Sequence, residues 1–395
     1  LRHRRPYEGA TMSTSAAADE RRDRRGTNAL FSGNKLKLGL FGPNCDHGCA
    51  MTLSSDVPSL TWEYTKQVAE IADRAGFEAL VPVARWKAIG DNGFNGRNFE
   101  TYTWAAGLAS VTDHITLVAT AHVQASHPAA AAKMVATVDH ISGGRVCLNI
   151  VNGWFEPEFK MLGSEFLPHD RRYQYTTEWF ELVRKFWTED SEFDFIGEFF
   201  RVEGGYSQPK PVQSPLPSIM NAGGSKTGRE FIAKYADAGY VLLAGYDLDA
   251  ARAQVEARAN DAAEVGREVD TWTTAYVIQR DTKEEAQAYL QKVFVDEADM
   301  SAGDAAAKYL GLNSSAMEPH QWEEFNLHLR AGYGGYPLVG TADDIAEELA
   351  RLSDIGVAGV SLSFVDFVDG LERFNADVLP KLENGGLRKP YSPHA

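Results

Sequence analysis

Ile115-Thr116-Leu117-Val118-Ala119, then residues 128–141, then Val146-Cys147-Leu148-Asn149-Ile150-Val151 read in order as strand, helix and strand. Both strand runs are apolar on consecutive residues, as strands covered on both faces are. Pro128 opens the helix, where a residue without an N–H is tolerated. The pattern repeats in both directions. Further strands are predicted at residues 36–41, 79–83, 218–221, 240–243, 272–278 and 357–362. Helical periodicity is predicted at residues 61–75, 100–111, 171–187, 227–236 and 249–265, and from Thr282, Thr341 and Gly370. Eight strand signals alternating with helices predict a parallel sheet, and eight such units in one domain predict a closed (β/α)₈ TIM barrel. An open doubly wound sheet is the rival. It lacks support, because Gly39 and Gly42 are too sparse to form G-x-G-x-x-G after the first strand.

Two segments break the rhythm. Residues 193–202, an aromatic alternation around Gly197, read as a hairpin. Residues 291–340 hold helical pieces and a flexible run, Ala331-Gly332-Tyr333-Gly334-Gly335-Tyr336. Long insertions of this kind are often lids. This one follows the seventh strand, which places it at the C-terminal mouth where barrel enzymes keep their active sites. Residues 35–395 are expected to form one domain, with residues 1–34 a disordered tail. That tail carries seven arginines, Arg2, Arg4, Arg5, Arg21, Arg22, Arg24 and Arg25, and very little apolar surface. Met12 is read as the start, with the residues before it an upstream remnant.

The chain has 395 residues, 44% hydrophobic and 24% charged, enough for a sizeable core. Its net charge of -16 argues against non-specific nucleic-acid binding. No apolar run approaches the roughly 20 residues that span a bilayer. Three cysteines are too few for a disulfide framework, and the chain reads as cytoplasmic. Cys45, His47 and Cys49 are an incomplete metal-ligand set, so the plain reading there is a loop with free thiols and no metal.

Polar residues cluster at predicted strand ends: Thr120 and His122, Asn149 and Asn152, Asn221 and Ser225, and Asp366. Any one alone would suit a satisfied core group. Together, in a closed barrel, they converge on one pocket. Asn221-Ala222-Gly223-Gly224-Ser225 leaves a strand and opens a helix, which suits an anion. Arg171-Arg172-Tyr173 adds a planar donor and a phenol. No Walker, G-x-S-x-G or H-E-x-x-H sequence occurs. A site rich in amides and aromatics suits a cofactor that brings its own chemistry.

Ser126-His127-Pro128, the run from Ala132 through Ile141-Ser142-Gly143-Gly144-Arg145, and Asn149-Ile150-Val151-Asn152-Gly153-Trp154 resemble the bacterial luciferase-like flavin monooxygenases. The likeness continues through Glu158, Gly163, Arg171-Arg172-Tyr173, Asn221 to Ser225 and Leu338-Val339-Gly340-Thr341. Within that family the chain looks most like the pyrimidine oxygenase of uracil degradation and the dimethylsulfone and alkanesulfonate monooxygenases. The resemblance implies reduced FMN across the barrel mouth, with Val83 and Ala84 flanking the ring and Trp154 walling the pocket. It implies contacts from Asn149 and Glu158 to the flavin or its ribityl chain. Arg172, Tyr173 and Ser225 would hold the phosphate. Thr120 and Asn149 match the positions proposed to hold O₂. One departure is Val83-Ala84-Arg85-Trp86, which stands where the pyrimidine oxygenase has Ile-Lys-Leu, so that lysine contact is not carried over. Another is His122, which replaces a small residue.

The expected activity is therefore a two-component, FMNH₂-dependent monooxygenase acting on a small heterocyclic or organosulfur substrate. Oxygen insertion would lead to C–N, C–S or carbon–halogen cleavage, with Thr120, Asn149 and His122 catalytic. No nicotinamide fingerprint is visible, so an NAD(P)H:flavin reductase is the expected partner. The family implies a homodimer or homotetramer. Alternatives on the same fold are a deazaflavin-dependent oxidoreductase and a non-catalytic flavin-binding protein.

Overall fold

A computed structural model of the chain describes residues 22–243, 247–311 and 318–392. Its centre is a ring of eight parallel strands. They are β1 (Lys37–Phe41), β2 (Ala79–Val81), β3 (Thr116–His122), β4 (Val146–Val151), β5 (Ser218–Asn221), β6 (Ala238–Val241), β7 (Asp270–Gln279) and β8 (Gly359–Ser363). Each pairs with the next in sequence, and β8 closes the ring onto β1. This is the TIM barrel that the alternation predicts, and it removes the sheet edges an open sheet would leave.

The helices form the outer layer: α1 (Trp62–Arg74), α2 (Thr101–Ala109), α3 (Pro128–Ser142), α4 (His169–Thr188), α5 (Lys226–Tyr235), α6 (Leu248–Glu264), α7 (Ala342–Asp354) and α8 (Phe367–Arg373). Local sequence sets their ends. Thr61 caps α1 by accepting from the Tyr64 amide, and Glu100 caps α2 from Tyr102 and Thr103. Pro128 sits in the first turn of α3, and Gly143, at φ 67°, ends it.

Strand parity then sorts the side chains. Val118 on β3 and Cys147 on β4 pack inside the ring with Val81, Met220 and Trp272. Leu117, Ala119, Leu148 and Ile150 face outward into the main core with the helices. A period of two therefore turns Thr120, His122 and Asn149 inward, at the C-terminal ends of their strands. Each large apolar side chain so buried contributes about 1.5–3 kcal/mol.

The opposite end of the ring is closed by residues predicted to be tail. Leu30 packs into the interior cluster. Buried Asn28 donates from Nδ2 to Val146 O at 3.2 Å and to Ser218 Oγ at 3.0 Å, and its Oδ1 accepts from Thr116 Oγ1 at 2.7 Å. Arg24 grips Asp237 through two bonds of 2.7 and 2.8 Å. The expectation of disorder over residues 1–34 is corrected for residues 22–34. They are held by polar pairing to strand starts about 90 to 210 residues away, which local composition does not report. Residues 1–21 lie outside the described part.

The aromatic hairpin is present, as Phe193–Ile196 against Arg201–Gly205. The insertion after β7 carries helices Met300–Tyr309 and Pro319–Gly332. They pack against Met51, Ile89, Phe94 and Phe155, from segments that follow β1, β2 and β4. The run predicted to be flexible is instead a helix end and a strand start. Tyr333 terminates Pro319–Gly332 in the left-handed region, and Tyr336–Gly340 pairs with the second half of β7.

Candidate functional site at the barrel mouth

Thr120 and Asn149 are direct partners in the β3–β4 register. Asn149 Nδ2 donates to Thr120 Oγ1 at 3.3 Å, and Thr120 Oγ1 donates to Pro82 O at 3.1 Å. These bonds fix the amide's orientation. Asn149 Oδ1 is buried and has no partner, which is costly unless a ligand satisfies it.

A second group lies beside it. Glu158, in the short helix Glu156–Met161, is fully buried and collects three donors on Oε1: Arg85 Nη1 at 3.1 Å, Trp86 N at 2.6 Å and Lys87 N at 3.2 Å. The Arg85 guanidinium stands 4.9 Å from the Trp154 ring centre and 5.4 Å from that of Phe155. His122 Nδ1 is 3.7 Å from Glu158 Oε2. Burial, and then the Arg85 charge, push the His122 imidazole down to about 3, so it is neutral at physiological pH. Glu158 Oε2 and Arg85 Nε have no hydrogen-bond partners. Val83 presents surface rather than free polar groups, because Asn44 pairs with both its amide and its carbonyl at 2.9 Å. Ala84 is buried next to it.

The third group is a cradle at the start of α5. Ser225 caps that helix, its Oγ accepting from Gly228 N at 3.2 Å. The Tyr173 hydroxyl lies so close to the turn that a Cβ on Gly223 would stand 2.5 Å from it, so only glycine fits there. Burial raises the Tyr173 phenol, while Arg172, Arg258 and a bond to Ser225 lower it. Arg172, one residue before Tyr173 on α4, reaches toward the neighbouring strand end. Its Nη1 donates to Gly153 O at 2.6 Å, its guanidinium lies over the Phe166 ring, and its Nε is unpartnered. Gly153 is at φ 71°, and a Cβ there would meet Phe159 at 2.3 Å.

The ten sequence-predicted residues thus fall into three adjoining groups: Thr120 with Asn149; His122, Glu158 and Trp154 around Arg85, beside Val83 and Ala84; and Tyr173 with Ser225, joined by Arg172. Three further residues carry no readable sequence signal. Arg258 reaches from α6 to donate to Gly223 O at 3.2 Å, with its Nη1 unpartnered. Asn44 fixes the loop after β2. Tyr333, from the insertion, donates to Asn95 Oδ1 at 2.7 Å. Among the described residues the non-glycine residues at positive φ are His47, Asn95 and Tyr333, and ring contacts to Phe94 tie His47 and Tyr333 together. Backbone strain of this kind gathers at functional sites.

Cys45 and Cys49 donate to the Val83 and Phe41 carbonyls, and burial pushes the Cys45 thiol up to about 12. An open groove of about 800 Å³ lies on the outer wall between Lys283–Gln291 and α7. Two of its carboxylates are already engaged, Asp344 with Lys283 and Glu348 with Tyr336 and Arg351. The unpartnered atoms described above are at the mouth.

Comparison with known proteins agrees with this fold. The family model described as luciferase-like monooxygenase matches residues 39–359. An FMNH₂-dependent dimethylsulfone monooxygenase from Pseudomonas putida is 32% identical over 87% of this chain and 94% of its own length. The pyrimidine monooxygenase RutA of Bradyrhizobium sp. is 32% identical over 89% of this chain and 99% of its own length. The crystal structure of DmoA from Hyphomicrobium sulfonivorans superposes with a TM-score of 0.78 at 21% identity, covering 91% of this chain and 90% of that one. At that identity it shows the shared fold.

Proposed function

The chain belongs to the luciferase-like monooxygenase family, and from that premise we propose that it is the oxygenating component of a two-component system, fed by a separate NAD(P)H:flavin reductase. It is a flavin-dependent monooxygenase that acts with reduced FMN and O₂. The substrate on this reading is a small heterocyclic or organosulfur compound. Insertion of one oxygen atom leads to C–N, C–S or carbon–halogen cleavage.

The observation that carries the reading is the Thr120–Asn149 pair, a hydroxyl and an amide locked together inside the ring with Asn149 Oδ1 unpartnered. The wider site fits the cofactor. Unpartnered acceptors on Asn149 and Glu158 and an unpartnered donor on Arg172 suit a ligand carrying amide, carbonyl and hydroxyl groups. The turn at Gly223 admits no side chain and begins a helix, which suits a phosphate.

Reduced FMN, when bound, supplies the electrons that activate O₂. The chain supplies placement. Arg172, Tyr173 and Ser225 would hold the phosphate, with Arg258 bracing the Gly223 turn. Val83, Ala84 and Trp154 would wall the ring. Glu158 Oε2 would accept from a cofactor hydroxyl. Thr120 and Asn149 would hold O₂. Neutral His122 orients the substrate through a hydrogen bond. The insertion, docked through Tyr333, covers the mouth and excludes water. The same reading puts the protein in the cytoplasm as a homodimer or homotetramer. Among the described residues no helix is long and apolar enough to cross a membrane.

The test is an assay with reductase, NADH, FMN and O₂, using uracil and dimethyl sulfone as first candidates. Substrate-dependent incorporation of one atom of labelled O₂ is expected. Turnover without flavin overturns the proposal.

A further inference from the structure

Arg85 follows β2 on the rim of the mouth, and nothing in the family reading gives it a role. Its side chain is 3% exposed and that of Glu158 is 1% exposed, with 3.1 Å between Nη1 and Oε1. The pair is electrically balanced. Trp154 and Phe155 lie against the guanidinium. Tyr333, brought in by the insertion, has its phenol raised by burial and lowered by the Arg85 charge. The Arg85 Nε–H is buried and unpartnered. His122 adds no positive charge to the mouth at neutral pH, and Arg172 is turned to Gly153 O and the Phe166 ring.

We propose that Arg85 is a specificity-determining residue whose Nε–H bonds an uncharged acceptor oxygen of the substrate, of sulfone, amide or lactam type, so that the mouth selects neutral substrates over sulfonate and carboxylate anions. This rests on the monooxygenase reading above and names the substrate class of that same site. An incoming anion is stripped of water against a pair whose positive charge Glu158 already neutralises. The desolvation cost is not recovered. A neutral carbonyl or sulfone oxygen carries no such cost and gives the orphaned donor its partner.

Dimethyl sulfone and methanesulfonate are close in size and shape and differ by one charge. Their binding to the full chain, saturated with photoreduced FMN under nitrogen, is read by ligand-observed NMR. Flavin binding is measured in the same samples. The wild type is expected to bind the sulfone at least about tenfold more tightly than the sulfonate. Arg85→Lys keeps the charge but loses Nε, and is expected to weaken sulfone binding about tenfold with flavin binding retained. Glu158→Gln leaves the guanidinium unbalanced and is expected to shift preference toward methanesulfonate about tenfold. Equal binding of the two probes, tighter sulfonate binding or binding of neither overturns this inference while leaving the family reading intact. Failure of the wild type to bind flavin overturns the reading beneath it.

Discussion

Asn149 and Thr120 are locked to each other by a 3.3 Å bond across neighbouring strands, and Thr120 is locked in turn to the Pro82 carbonyl. The chain of donors runs one way, so Asn149 Oδ1 is the atom left without a partner. Removing either side chain should therefore affect oxygen use more than folding. Thr120→Val and Asn149→Ala are expected to lower product formation on the order of 100-fold, while flavin oxidation continues. Product formed per O₂ consumed checks this, and unchanged coupling in both variants would remove the pair from the reaction.

The cradle at α5 makes a separable prediction. Tyr173→Phe and Arg172→Gln are each expected to weaken FMN binding about tenfold, the loss of one charge-assisted bond. Riboflavin, which lacks the phosphate, should bind both variants as it binds the wild type. Fluorescence titration with the two flavins distinguishes a phosphate seat from a general loss of structure.

His122 yields a pH prediction with a definite sign. Its folded pKa is held near 3, against an ordinary value of 6.5. Below 6.5 the unfolded chain takes up a proton that the folded chain refuses, so stability falls as pH drops from 6.5 toward 3. The slope is on the order of 1 kcal/mol per pH unit for one proton. His122→Gln should flatten the dependence of Tm on pH in that window and leave it unchanged above pH 7. Identical curves for wild type and variant would place the imidazole in a solvated setting.

Leu30 tests the closure of the far end of the ring. It is 3% exposed and packs into the interior cluster. Leu30→Ala is expected to cost about 2–5 kcal/mol in urea unfolding, with the flavin affinity of the folded protein unchanged, since the mouth lies at the opposite end.

Much of this protein was legible before any coordinates. The eight strands lie within two residues of their predicted starts, because buried parallel strands announce themselves as short apolar runs between helical periods. The mouth residues on β3 and β4 were legible for the same reason: a polar residue inside an apolar run has to face something. Glu158 was reached through motif resemblance, whereas Arg172, Tyr173 and Ser225 were also legible as a helix-opening turn and a basic, phenolic helix start suited to an anion. Arg258 was not legible, being one arginine in a solvent-flecked helix. Residues 22–34 were misread, because their order comes from Asn28 and Arg24 meeting distant partners.

By itself, then, the sequence determined the alternation, the barrel and the strand ends where chemistry gathers, since all three follow from local periodicity. Only the tertiary structure decided which atoms are left without partners. That Glu158 neutralises Arg85, that His122 is held neutral and that Asn149 Oδ1 is free depend on segments far apart in the chain. Burial sets the cost of each charge, and burial exists only once those segments have met.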